Sequence, residues 1–306
     1  MAKSRKASQA IARRHDRDRA PLVKQGVRAS TTTGARMRRR AIAAFNRRQD
    51  PTSIIRPEME SMTDLLIEAM VAADLRGRVR SLTTMGSRAT RRVRLARSGQ
   101  AVYRNAVEFA RRRLDLLPED ITTLRNTYRP AAEQEIERTA SFVEAKVQAT
   151  FVEATTSGAT VSDGINMLAE TFRKAGIEPV NSYTLENIFR TNINATYSAA
   201  RWQTLQAPEA QDILWGFEYV TVGDLNVRPN HERLDGTTLP KEDPMWGIIW
   251  PPNGWGCRCS TVELFAEEAI VRPDPIQEID GVLVLALPDE GFHFNPGMRF
   301  TDALAA

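Results

Sequence analysis

The chain has 306 residues, 42% hydrophobic and 7% aromatic, and a formal charge of +4 that is unevenly placed. Residues 1–113 hold 28 Lys and Arg against 9 Asp and Glu, and the remainder holds 14 against 29. That length and apolar content suffice for one large domain or two ordinary ones and exclude a fibrous or wholly disordered protein. The longest apolar run, VLVLAL at 282–287, is far short of the roughly 20 residues that cross a bilayer, so no membrane partner is expected. The charged N-terminus lacks the apolar stretch of a secretory signal.

Half of the apolar residues in 1–56 are alanine. Such a segment buries too little apolar area to offset its ordering entropy, which predicts a basic flexible arm with one short helix over 35–48. Its Arg36, Arg38, Arg39, Arg40, Arg47 and Arg48, with Arg91, Arg92 and Arg94 in a second basic stretch over 76–99, form a candidate nucleic-acid surface. Such cations displace phosphate counterions, so binding there would weaken with salt. A solvated arm that serves solubility is the competing reading.

Residues 57–160 read as a helical region containing the second basic stretch. Met62, Leu65, Leu66, Ala69, Met70 and Ala73 repeat at helical spacing. The basic stretch reads as a loop with one short helix. Helices are predicted over 101–117 and 119–128, and Pro130 opens another in which Ile136, Val143, Val147 and Phe151 share a face.

In residues 161–306 the helical texture continues through 161–175 and 183–205, the latter with Leu185, Phe189, Ile193 and Tyr197 in register and Pro208 as its bound. Beyond that, ILWGFEYVTVGD, RCSTVEL and GVLVLAL read as strands. The expected fold class is α+β: predominantly helical N-terminal and middle regions, then a small loop-rich α+β module. Trp215, Trp246, Trp250 and Trp255 are expected in the module's core.

The segment WPPNGWGCRCS holds both cysteines, Cys257 and Cys259. A disulfide between them would close a small strained ring, so a staple is disfavoured. His231, Cys257, Cys259, Asp224 and Asp235 are the candidate metal ligands, because zinc favours thiolate and imidazole. Buried thiols packed as small hydrophobes are the other open reading. No phosphate loop is present, since TTTGARMRRR lacks the G-K-[ST] ending, and no paired carboxylates or H-N-H pattern surrounds Asp224 and His231.

The segments LENIFRTNINATYSAAR, FEYVTVGDLNVRPNHERLDGTTLPKEDPMWGIIWPPNGWGCRCSTVEL and DEGFHFNPG resemble the phage Mu protein F-like family of minor head proteins, the phage head-morphogenesis domain. The resemblance runs over about 161–297 and rests on Arg190-Thr191, Asp224, Arg228-Pro229, His231, Asp235-Gly236, Pro251-Pro252 and Cys257-Arg258-Cys259. It implies a structural protein of tailed-phage heads and not an enzyme. The implied role is a minor capsid protein of the virion, associated with the portal vertex and present in the host cytoplasm during assembly. Expected partners are the portal protein and other capsid proteins, with double-stranded DNA bound through the basic N-terminal half. Other branches of the family look like carriers of a fuller zinc set, C-x-x-C before the D-G and H-P-x-C-R-C after it. Here Arg228 and Gly254 stand at the Cys and His positions, which implies a reduced zinc site. The alternative is an effector co-injected with DNA or a metal-dependent nuclease-like enzyme.

Overall fold

Helix α1 (Arg5–Asn46) occupies nearly all of the stretch that composition assigns to a flexible arm. It belongs to a computed structural model that describes residues 5–85, 107, 111, 114–157, 159–178, 181–279 and 282–299. The buried residues of α1 recur at three- and four-residue spacing: Ser8, Ala12, His15, Arg19, Leu22, Gly26, Ser30, Gly34, Met37, Ala41 and Ala44. Most are small or polar, so a hydropathy reading misses the stripe. Small residues let the backbone come close: a Cβ at Gly26 would overlap the Phe189 ring, and one at Gly34 the Ile177 carbonyl. Packing, not local propensity, meets the ordering entropy.

A 3-10 turn (Pro51–Ile54) and α2 (Ile55–Glu60) lead into α3 (Thr63–Thr84). From Leu65 to Leu75 all but Glu68 are buried, Asp74 included, so this part of α3 is enclosed between α1 and its neighbours. It continues through Arg76, Arg78 and Arg80, where the sequence reads as a loop. Arg78 pairs with Asp74 one turn earlier and Arg80 with Asp18 of α1, so the basic side chains are tied to the helix and its partner. Arg91, Arg92 and Arg94, and most of the helix predicted at 101–117, lie outside the described residues.

Helix α4 (Pro118–Thr156) begins with Pro118 in its first turn, as predicted, but runs uninterrupted through Pro130. An interior proline costs about 3 kcal/mol. Buried Tyr128, Ala132 and Ile136 on either side of it pack the helix against its neighbours. Helix α5 (Val161–Lys174) opens on a Thr160/Asp163 capping box, and α6 (Tyr183–Leu205) has the predicted bounds. These helices share one apolar core with α1 and α3. No described helix is long and apolar enough to cross a membrane.

After a short turn of helix α7 (Pro208–Gln211) come β1 (Gly216–Val220), α8 (Pro229–Glu232), β2 (Thr238–Pro240), α9 (Trp246–Ile249) and β3 (Ser260–Leu264). The strands form an antiparallel sheet in the order β2-β1-β3. A separate ribbon pairs β4 (Ile276–Ile279) with β5 (Val282–Leu285). The expected α+β class is what the structure has. Trp246 and Trp250 pack with Trp202 and Phe217 in the module's core, while Trp255 is 43% exposed and Trp215 only partly buried.

The two parts are joined by α1, which at 1.5 Å per residue is about 63 Å long and reaches both. Its first turns lie on the sheet: Ser8 donates to Glu218 at 2.6 Å, Arg13 to the Val222 carbonyl at 2.8 Å, and His15 Nδ1 meets Ser260 Oγ at 2.6 Å. Beneath them Arg201 of α6 and Glu263 of β3 form a 2.6 Å ion pair, each 1% exposed.

Candidate functional site

Three elements bring the candidate donors together. Short helix α8 carries His231. The chain after α9 turns at Gly254–Cys257, with Gly256 at φ 67, a conformation glycine adopts freely, and delivers Cys257 and Cys259 to the start of β3. Helix α6 anchors that turn: Asn194 Nδ2 donates to the Cys257 carbonyl at 2.6 Å, and Thr191 Oγ1 accepts from Gly256 N–H at 3.4 Å.

The imidazole of His231 and the thiols of Cys257 and Cys259 lie within 4.8 Å of one another and are buried. The Nε2 edge of His231 is held by the Asn253 carbonyl at 2.9 Å and by Asp289 at 3.3 Å, which turns Nδ1 toward Cys259 Sγ at 3.9 Å. An outer carbonyl and carboxylate on one imidazole nitrogen, with the other facing two sulfurs, is how proteins orient a metal-binding histidine.

The protonation chemistry agrees. The hydrogen bond from Cys259, reinforced by the hydrogen bond and charge of His231, holds Cys257 well below the usual thiol range despite its burial. The same Cys257 contact together with burial pushes Cys259 well above it. Burial pulls His231 down, but the hydrogen bond and charge of Cys257 and the charge of Asp289 outweigh it, so its pKa is raised. One thiolate is therefore stabilised, and thiolate is the form that ligates metals. The side-chain oxygen of Asn253 is buried without a hydrogen-bond partner, and the backbone carbonyl of the same residue touches His231.

Asp224 and Asp235, the other two expected ligands, have different work. Asp224 takes both Arg258 guanidinium nitrogens at 2.7 Å, and that pairing holds its carboxyl below the ordinary range. Asp235 accepts from Thr221 N–H at 2.6 Å, Arg5 at 2.7 Å and Gln9 at 3.2 Å, so it ties α1 to the sheet. Residue type does not single out Asn194, Asn253 or Asp289.

Cys257, His231 and Asp289 also follow the order of nucleophile, base and orienting acid. Catalysis needs substrate to reach the sulfur, and Cys257 is 3% exposed and Cys259 4%.

Among the candidate nucleic-acid residues, Arg36 and Arg40 both pair with Glu58, and Arg38 pairs with Glu178. Arg39, Arg47 and Arg48 are exposed and have no ion pair among the described residues. All six sit in or just after the C-terminal half of α1.

Residues 145–262 match the family described as Phage Mu protein F like protein. The family read from the Arg190-to-Cys259 motifs is thus the one the match returns, beginning earlier and ending sooner than the 161–297 span of the resemblance. Over 86 residues the chain is 38% identical to the Mu-like prophage FluMu F protein of Haemophilus influenzae, a match covering 28% of this chain and 20% of that protein. Over 82 residues it is 35% identical to the putative capsid assembly protein F of Escherichia phage Mu, covering 27% and 18%. The match spans about a fifth of the length of these relatives. No solved structure matches the chain.

Proposed function

We propose that this protein is a non-enzymatic head-assembly component of a tailed phage, a minor capsid protein that docks on portal or inner capsid proteins and touches packaged DNA. The observation that carries the reading is the match of residues 145–262 to the Mu F-like family, one relative of which is named a putative capsid assembly protein. In this reading the protein is part of the virion and passes through the host cytoplasm during assembly. His231, Cys257 and Cys259 hold a structural zinc ion, with the oxygen of Asn253 or a water as fourth donor. The ion would join α8, the cysteine turn and β3, contributing folding energy where apolar content is thin. DNA is met by Arg39, Arg47 and Arg48, with the partly exposed guanidiniums beside Glu58 and Glu178 at the margin.

Two measurements test this. Filter binding of duplex DNA across a salt series should give affinity that falls steeply with salt. Replacing Arg39, Arg47 and Arg48 by Ala should lower the log–log slope by up to about 0.9 for each phosphate no longer neutralised. Salt-independent binding would defeat the DNA part. Metal analysis of protein purified without chelator should find one zinc per chain in the wild type and none in Cys257→Ser. Metal-dependent DNA cleavage abolished by His231→Ala would instead establish the nuclease-like alternative.

A further inference from the structure

The outward face of α1 carries charge of one sign. Its exposed side chains recur at three- and four-residue spacing opposite the stripe that packs on the body and the sheet, and none of them is acidic. The two acids of the helix, Asp16 and Asp18, are half-buried: Asp18 pairs with Arg80, and the charge of Asp16 acts on Arg258. Carboxylates of other elements that reach α1 are engaged as well, Glu58 with Arg36 and Arg40, Glu178 with Arg38, and Asp235 with Arg5. Arg14, Arg17, Lys24 and Arg28, by contrast, are exposed and have no ion pair among the described residues. That is also the condition of Arg39 nearer the end of the helix.

These cations fall into groups: Arg14 with Arg17, Lys24 with Arg28, then Arg39. At 1.5 Å per residue the centres of the groups lie about 16 and about 20 Å apart. B-DNA turns once in about 34 Å with two backbones, so a line along the duplex meets a backbone about every 17 Å. From Arg14 to Asn46 the face runs about 48 Å, the length of about 14 base pairs. A duplex, with a persistence length of about 50 nm, stays straight over that distance. An acidic loop would have to be ordered to follow the same path, at a cost in chain entropy. The outward face of α4, where Glu133, Glu137 and Glu153 alternate with Arg129, Arg138 and Lys146, offers no such single-sign surface.

We propose that the whole outward face of α1, and not its C-terminal end alone, is a rail along which duplex DNA lies lengthwise, held through its phosphates. The inference rests on the reading that this protein touches packaged DNA, and it adds Arg14, Arg17, Lys24 and Arg28 to the three arginines of that reading. Contacts to phosphate fix position without reading bases, so the rail takes duplex of any sequence. Arg14 and Arg17 flank His15, whose Nδ1 meets Ser260 of β3, so the rail begins over the module and ends over the helical body. One duplex therefore touches both parts of the molecule.

The test is binding of the full-length protein to hairpin-closed duplexes of about 8 and about 20 base pairs across a salt series, the shorter covering only about 27 Å of the rail. The wild type should show a steeper log–log salt slope on the longer duplex. Replacing Arg14, Arg17, Lys24 and Arg28 together by Ala should lower that slope by up to about 0.9 for each, about 3.6 in all, and remove the dependence on length. Far-UV circular dichroism should be unchanged, because alanine favours the helix. Replacing Arg14, Arg17 and Arg28 by Lys keeps the charge and should keep the wild-type slope; loss in the Lys variant as well would assign these positions to structure and overturn the proposal. Equal wild-type slopes at the two lengths overturn it too. So does a quadruple Ala variant with the wild-type slope, and if the Arg39, Arg47 and Arg48 variant is weakened in the same assay, DNA contact stands at the end of α1 alone. A wild type that binds neither duplex defeats the DNA reading together with the rail. Polyglutamate of matching charge bound as tightly as the longer duplex would hand the rail to an acidic protein.

Discussion

The helical body and the C-terminal module are stabilised by different means. The body has one continuous apolar core running through α1, α3, α4, α5 and α6. The module has a small aromatic core around Trp202, Phe217, Trp246 and Trp250, and beside it a dense set of buried polar contacts: Arg201–Glu263, His15–Ser260, and His231 with its two cysteines. A non-directional core tolerates exchange of one apolar residue for another of similar volume. A buried polar set depends on each partner, because removing one leaves the other desolvated. The module should therefore be the part that fails first and most sharply.

The largest effect separating the two regions is expected at the buried ion pair. Glu263→Ala leaves the Arg201 guanidinium uncompensated and should cost about 3–5 kcal/mol, read by urea denaturation, against less than about 1.5 kcal/mol for the volume-conserving Leu66→Met in the body. Restoring an uncharged pair with Arg201→Met in the Glu263→Ala background should recover part of that loss.

Next is the seam where α1 meets its neighbours. Gly34→Ala places a methyl against the Ile177 carbonyl, a backbone atom that cannot rotate away. It should lower stability by about 1–3 kcal/mol, although an exposed helical Gly→Ala change ordinarily stabilises. A stabilised Gly34→Ala variant in thermal denaturation would mean that α1 is not packed on the 177 segment.

A smaller, pH-dependent effect is expected at His15. Burial, then the surrounding Arg201, Arg19, Arg80 and Arg14, holds its pKa well below the usual histidine value. The folded state keeps it neutral while the unfolded state takes up a proton near pH 6.5. Its contribution is thus level above about pH 6.5 and falls as the pH drops below it, by at most about 1.4 kcal/mol per unit. His15→Gln should flatten the stability profile between about pH 6.5 and 5, and an unchanged slope would place the proton elsewhere.

The smallest effect is expected at the exposed cations. Arg39→Ala should change stability by no more than about 0.5 kcal/mol. Arg36→Ala, which removes one of two partners from the buried Glu58 carboxylate, should cost more, and denaturation of the two variants side by side checks the order.

Much of the fold is legible in the chain. Helix α6 and the strands β1, β3 and β5 follow from periodicity, from Pro208 and from β-branched and aromatic runs, because in those segments one face is plainly apolar. Helix α1 is not legible, because its buried stripe, rich in Ser, Ala and Gly, packs by closeness of approach, which hydropathy does not register. Pro130 misleads for a related reason: a local penalty is overridden by the packing of Tyr128 and Ile136. At the candidate site the donor types name His231, Cys257 and Cys259 correctly as neighbours. Asp224 and Asp235 group with them by type alone, because a carboxylate's partner, here Arg258 in one case and Arg5 with Gln9 in the other, depends on tertiary structure.

The clasp of α1 on the sheet also sets the order in which the molecule can be completed. Arg5, Ser8 and His15 find their partners 230, 210 and 245 residues further along the chain. At about 5–20 residues per second of synthesis, the start of α1 waits roughly ten to fifty seconds before its docking surface exists. Contacts this distant in sequence form slowly, so α1, made well before its docking surface, should be among the last elements fixed in place.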